Sequence, residues 1–147
     1  MTIPVLDLAR YFPFYLGTIS NRWTATSSKT YREEFGIGIA DWRVLASIHA
    51  QGAASSQMVV NLIFMDAGAV SRSIARLVAA GYVNAVPGKF VGRTKPYRLT
   101  EKGRELYAKL VEIALNREER LLALLNTDER DTLLILMRKI VDRLETL

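Results

Sequence analysis

The 147 residues contain no cysteine and a single histidine, His49. The first absence excludes disulfide staples, thiolate metal sites and thiol-based redox sensing, and the second leaves no material for a histidine-rich metal centre. No apolar run approaches the roughly 20 residues that a membrane span needs, and the start MTIPVLDLAR lacks the charged n-region of a signal peptide. The expectation is a cytoplasmic protein without a membrane partner. Also missing are the frames that hold enzyme chemistry: Gly-x-Ser-x-Gly, a phosphate-binding glycine loop ending in Lys-Ser or Lys-Thr, metal-ligand spacing, and paired carboxylates in a recognisable frame. No catalytic residue, metal or cofactor is therefore assigned, and the expected function is binding.

Half of the residues are apolar and 24% are charged, as in an ordinary globular chain of about one domain. The net charge is +5, and its placement is more informative than its size. Between Gly68 and Arg104 stand Arg72, Arg76, Lys89, Arg93, Lys95, Arg98, Lys102 and Arg104, against Glu101 alone, so the rest of the chain is mildly acidic. A one-sided basic block suits phosphate neutralisation, because each cation placed on a phosphate releases condensed counterions.

Inside that block, Asp66 to Tyr82 reads DAGAVSRSIARLVAAGY. Val70, Ile74, Leu77 and Val78 recur at helical spacing and form the buried stripe, while Ser71, Arg72, Ser73 and Arg76 fall largely off it. Asp66 fits an N-cap and Gly81 a helix stop. Gly68, Ala69 and Ser71 keep the first turns thin, which suits close approach to a DNA major groove. Upstream, the pattern predicts a first helix from about Pro13 to Phe35 with Leu16, Ile19 and Trp23 on one stripe. Its far half, TATSSKTYREEF, is too poor in apolar residues to be wrapped by its own chain. A second helix, Asp41 to Gln51, turns Trp42, Leu45, Ala46 and Ile48 or His49 inward, with His49 expected as a hydrogen-bonded core residue. A short third, capped by Ser55 or Ser56 and running to about Phe64, turns Val59, Leu62 and Ile63 inward. Two short helices joined by a tight turn, the second basic and thin, make a helix-turn-helix.

After Gly81 the period shortens. Tyr82, Val83, Ala85 and Val86 read as a strand, Pro87-Gly88 as a turn, and Lys95 to Leu99 as the return strand with Tyr97 and Leu99 on one side. This two-stranded wing carries Lys89, Arg93 and Lys95 at its tip, placed for the DNA backbone or the minor groove. Thr100 caps a fifth helix bearing Leu106, Leu110 and Ile113 and continuing to about Leu125. Asn126, Thr127 or Asp128 starts a sixth, Glu129 to Leu144, with Leu133, Leu134, Leu136, Met137, Ile140, Val141 and Leu144. That apolar surface is wider than a monomer's outer helix needs, and a second copy is its simplest cover, with Leu133, Met137, Ile140 and Leu144 as dimerisation residues. The fold class expected is mainly α with a small two-stranded β-wing. Residues 1–35 and 101–147 would form a helical dimerisation region and 36–100 a winged helix-turn-helix lobe.

This order of elements resembles the MarR family of winged-helix transcriptional regulators over nearly the whole length. AVSRSIARLVAAGYV (Ala69 to Val83) is similar to that family's recognition helix. GRTKPYRLTEKGREL (Gly92 to Leu106) is similar to its wing return and following helix, most sharply in the Leu-Thr-x-x-Gly step at Leu99, Thr100 and Gly103. The resemblance implies a homodimer on a palindromic operator, with effector pockets between dimerisation helices and DNA-binding lobes. It places Ser71 and Arg72 in the major groove, Gly68 and Ala69 where close approach is needed, Arg76 on phosphate, and Ser55, Ser56 and Gln57 as anchors on the backbone. For a small aromatic or phenolic effector the candidates are Tyr11, Tyr15, Trp23, Trp42 and Arg43, an arginine among aromatics. Two positions depart from the family: Val91 replaces an Asp two residues before the wing arginine, and Phe64 replaces a small residue before the recognition helix. A contrasting function, recognition of a protein by the winged helix, is opposed by the basic wing.

Overall fold

The computed structural model describes residues 2–147, which divide into two compact units, one ending at Tyr107 and one comprising Ala108–Leu147. The first contains α1 (Phe12–Phe35), α2 (Ile39–Gln51), β1 (Ala54–Ser55), α3 (Ser56–Ile63), α4 (Ala67–Ala79), β2 (Val83–Ala85), β3 (Pro96–Leu99) and the start of α5 (Glu101–Leu121). Its core is built from α2, α3, α4 and the sheet, where Val44, Leu45, Ile48, Val59, Val70, Leu77 and Val83 are all within 1% of full burial. A fully buried aliphatic side chain of this kind contributes about 1.5–3 kcal/mol, an upper figure because the unfolded chain already hides part of its surface.

The wing is wider than the expected ribbon. Ala54 and Ser55 add a third strand, so the antiparallel order is β1-β3-β2, with Ala54 opposite Tyr97 and Val83 opposite Leu99. A two-residue strand leaves no alternation in sequence, and only the neighbouring β3 makes it one. Ser55 then caps α3, its hydroxyl accepting the Met58 amide at 3.2 Å.

Several inward assignments are corrected. Leu62 is 50% exposed and Val78 42%, because short helices clamped on one side bury a narrower stripe than their apolar residues span. Ser73, by contrast, is fully buried. In α1 the expected order is reversed: Leu16 and Ile19 are exposed, and the polar far half is the packed part, with Ser27 and Tyr31 buried. Small serines admit a close neighbour, and one large tyrosine fills what remains. His49 is exposed and not a core residue; its ring stacks on Tyr107 with centroids 3.9 Å apart.

Turn chemistry follows the sequence closely. Gly81 has φ +78° beyond the end of α4. Phe64 caps α3 in the left-handed region, φ +52°, which explains why a small residue suits that position and why this bulky one is strained there. The Leu-Thr-x-x-Gly step also has a physical basis. The Thr100 hydroxyl donates to the Gly81 carbonyl at 2.6 Å and accepts the Gly103 amide at 3.0 Å. A Cβ on Gly103 would stand 2.0 Å from the Tyr82 carbonyl oxygen, so α5 starts against the wing only with glycine there.

In the second unit α5 ends at Leu121, short of the expected Leu125, and α6 spans Thr127–Leu144. Asn126 and Glu129 form a reciprocal capping box at its start. Arg130 ties the turn together, donating to the Leu122 and Leu125 carbonyls at 3.1 and 3.0 Å and to both Glu119 oxygens at 2.6 and 2.9 Å. No residue of α6 is buried. Among the described residues, no helix is long and apolar enough to cross a membrane.

Candidate nucleic-acid interface

Helix α4 starts on Asp66, whose carboxylate accepts the Ala69 amide at 2.9 Å. Ser71 and Arg72 are exposed on its outer side, whereas Gly68 and Ala69 are partly covered. The Arg72 guanidinium lies back over the first turn: a Cβ on Gly68 would sit 3.1 Å from its Nη1 and 3.1 Å from Asp66 Oδ1. Gly68 therefore makes room for Arg72 as well as keeping the turn thin.

Arg76 is held differently. Asp41 of α2, its side chain only 8% exposed, accepts from Arg76 Nη2 at 2.6 Å, from Arg76 Nε at 3.2 Å and from the Ser73 hydroxyl at 2.7 Å. The hydrogen bond to Asp41 pushes the guanidinium further above its ordinary value against the opposing effect of burial, so it stays charged. Asp41 thus bolts α4 to α2 while leaving 55% of the Arg76 side chain in solvent. Sequence reading assigned Asp41 only to the start of a helix. Its partners lie 32 and 35 residues away and leave no local signal.

The remaining expected positions separate into groups. Ser55 is buried as the α3 cap, Ser56 is partly covered, and Gln57 is exposed and donates to Asn61 at 2.9 Å. Ser56, Ser71, Lys95 and Tyr97 share a cleft of about 330 Å³ between α4 and the wing. Lys89, Arg93 and Lys95 are all exposed around the wing tip. Lys102, in contrast, lies over the Tyr82 ring at 4.8 Å and donates to the Ala80 carbonyl at 2.8 Å.

The aromatic candidates do not converge as one group. Trp42 stands between Tyr31 and Tyr107, with ring centroids at 6.0 and 5.7 Å, and His49 extends that stack. Arg43 reaches the Thr24 hydroxyl at 3.4 Å, and Trp23 is half-buried. Tyr11 and Tyr15 are exposed at the start of α1, where the Tyr15 hydroxyl donates to the Ala9 carbonyl at 3.1 Å. Tyr31 and Tyr107 are the aromatic members that sequence reading missed, since each looked like an isolated residue on its own helix.

The surface so assembled has an exposed, serine- and arginine-bearing helix beside a cationic ribbon, the form of a major-groove reader with a wing. Comparison with known proteins agrees. Residues 35–93 match the model of the MarR family. No curated protein matches the chain. Among solved structures it is similar to a MarR/EmrR family transcriptional regulator from Acinetobacter sp. ADP1, with 28% identity and a TM-score of 0.89 over 97% of this chain and 100% of that one. It is similar also to BpsR of Bordetella bronchiseptica, described for regulation of its DNA binding by 6-hydroxynicotinic acid, with 25% identity and a TM-score of 0.81 over 95% of this chain and 99% of that one. A mutant MarR of E. coli complexed with operator DNA shares the fold at 23% identity and a TM-score of 0.73, over 86% of this chain and 90% of that one. The winged lobe at residues 35–93 thus matches the MarR family, and the chain over nearly its whole length has the fold of MarR-family winged-helix transcriptional regulators.

Proposed function

We propose that the protein is a cytoplasmic, homodimeric repressor that binds a palindromic operator in double-stranded DNA and is released by a small aromatic or phenolic ligand. It is a binding protein and not an enzyme. The observation that carries this reading is the cleft that Ser71 of α4, next to the exposed Arg72 in sequence, shares with Lys95 of the cationic wing. Residues 36–100 read DNA, and residues 1–35 and 101–147 join the two copies, with Leu133, Met137, Ile140 and Leu144 in the joint. Two recognition helices then enter successive major grooves, about one helical turn apart.

Ser71 and Arg72 meet base edges, and Ser56, Gln57 and Lys95 meet the backbone. Arg76, already seated on Asp41, offers its exposed edge to a phosphate. Occupancy of a promoter blocks transcription sterically, and a ligand that binds the released arrangement better lowers operator affinity without touching DNA. Trp42 and Arg43 remain its best contacts, because the Tyr31–Trp42–Tyr107 stack gives a flat ring something to join.

Selection of a preferred duplex from random DNA, followed by titration at several salt concentrations, tests the proposal. Arg72→Ala is expected to lose about 1–3 kcal/mol of discrimination between selected and random DNA. Arg93→Ala is expected to weaken binding to both alike and to lower the salt slope by about 1 per site. Equal loss of specificity from both would overturn this division of roles, and absence of salt-sensitive duplex binding would overturn the function.

A further inference from the structure

The wing tip is not simply cationic. Midway along the loop between β2 and β3 stands Val91, 87% exposed, in the place where the family resemblance implies a carboxylate. Single exposed apolar residues are common on protein surfaces, and exposure alone means little. Here the position is fixed by hydrogen bonds. The Thr94 hydroxyl donates to the Val91 carbonyl at 2.6 Å and accepts the Val91 amide at 3.2 Å, and the Thr94 amide closes on the same carbonyl at 3.3 Å. Gly92, at φ +57°, makes the bend. Behind it the Phe90 ring lies against Gly88, where a Cβ would come within 2.8 Å of the ring. Phe90 thus lies against the wing's own backbone and is 42% exposed, whereas Val91 beside it is exposed over most of its surface. Lys89, Arg93 and Lys95 flank it in sequence and are exposed, and no acidic residue occurs from 67 to 100.

A hydrogen-bonded turn that opens on an exposed apolar residue, with exposed cations before and after it in sequence, matches one surface in particular, a groove whose floor is stacked bases and whose walls are phosphates. We propose that Val91 acts as an apolar wedge carried into the DNA minor groove, where it loosens a base step while Arg93 and its neighbours hold the flanking phosphates. Proteins that insert such wedges kink the duplex, and pyrimidine–purine steps yield most easily. The chain then reads deformability at the wing in addition to base edges at α4. This rests on the operator-binding reading above and adds to it a sequence preference at positions that α4 does not touch.

The test uses the full-length protein and a duplex selected from a random pool, labelled at both ends for energy transfer, with either a T-A or a G-C step under the wing. The wild-type protein is expected to shorten the end-to-end distance and to prefer the T-A duplex by about tenfold. Val91→Ser is expected to abolish the bend and the preference while leaving the salt slope unchanged, since no charge is lost. Val91→Leu should retain both. Wild-type binding without bend, or a bend and preference that survive in Val91→Ser, overturns the wedge but leaves operator binding standing. Failure of the wild type to bind any duplex in a salt-dependent way overturns the underlying function instead.

Discussion

The recognition helix and the last helix are both amphipathic, yet only one is covered by its own chain. In α4, Val70, Ile74 and Leu77 are at most 4% exposed. In α6, Leu133, Leu134, Ile135, Leu136, Val141 and Leu144 are 38–58% exposed, and nothing is buried. An apolar stripe states that a surface needs covering and is silent about what covers it. For α4 the answer lies in α2 and the sheet. For α6 we propose a second copy as the cover, which is why we read that helix as the joint between copies. The two regions also differ in what fixes them: α4 by burial and the Asp41 bolt, the α5–α6 turn by a capping box and the Arg130 hydrogen bonds.

Charging the uncovered helix should have the largest effect. Leu133→Asp combined with Leu136→Asp is expected to weaken self-association by about 4 kcal/mol, in the range of interface hot spots, and analytical ultracentrifugation would report monomer. If the helix is merely solvated, mass and melting temperature stay unchanged. The covered region answers to a different substitution. Gly103→Ala drives a methyl into the Tyr82 carbonyl and should destabilise the winged unit by about 3 kcal/mol in urea unfolding, independent of protein concentration.

Asp41→Ala comes next. It removes the acceptor of the buried Ser73 hydroxyl's proton and leaves Arg76 only its 3.0 Å hydrogen bond to Ser73 Oγ, and because that arginine is half in solvent the expected loss is only about 2 kcal/mol. Operator specificity should fall with it, while Asp41→Asn retains part of both. A fall in stability with specificity intact would mean that the bolt holds the fold and not the reading head.

The smallest effect concerns the polar turn. Hydrogen bonds from Arg130 hold the Glu119 carboxyl below its ordinary value of 4.5, so their stabilisation is complete above that pH and is lost as pH falls through the lowered value. Glu119→Gln should therefore lower the melting temperature slightly at pH 7 and not at all in strong acid. A difference that persists in acid would show that the pair is not the source.

Much of the fold was legible in order and kind. Asp66 and Asn126 cap their helices, Gly81 takes its positive φ, and the Thr100–Gly103 step starts α5, because capping and turn chemistry act over three or four residues. The wing cations stand exposed for a similar reason: nothing acidic lies near them in sequence. Missed features depend on distant partners. β1 is a strand only because β3 passes it, and Tyr31, Trp42, Tyr107 and His49 form one stack drawn from three helices.

What the sequence determined by itself is therefore the set of helices, their caps, the wing and the concentration of positive charge, all consequences of short-range geometry and composition. Tertiary structure alone decided that the polar half of α1 packs while its apolar half does not, that Asp41 seats Arg76, and that Val91 stands exposed at the start of a closed turn. Those outcomes turn on which surfaces meet, and a period along one segment carries no information about the segment that will face it.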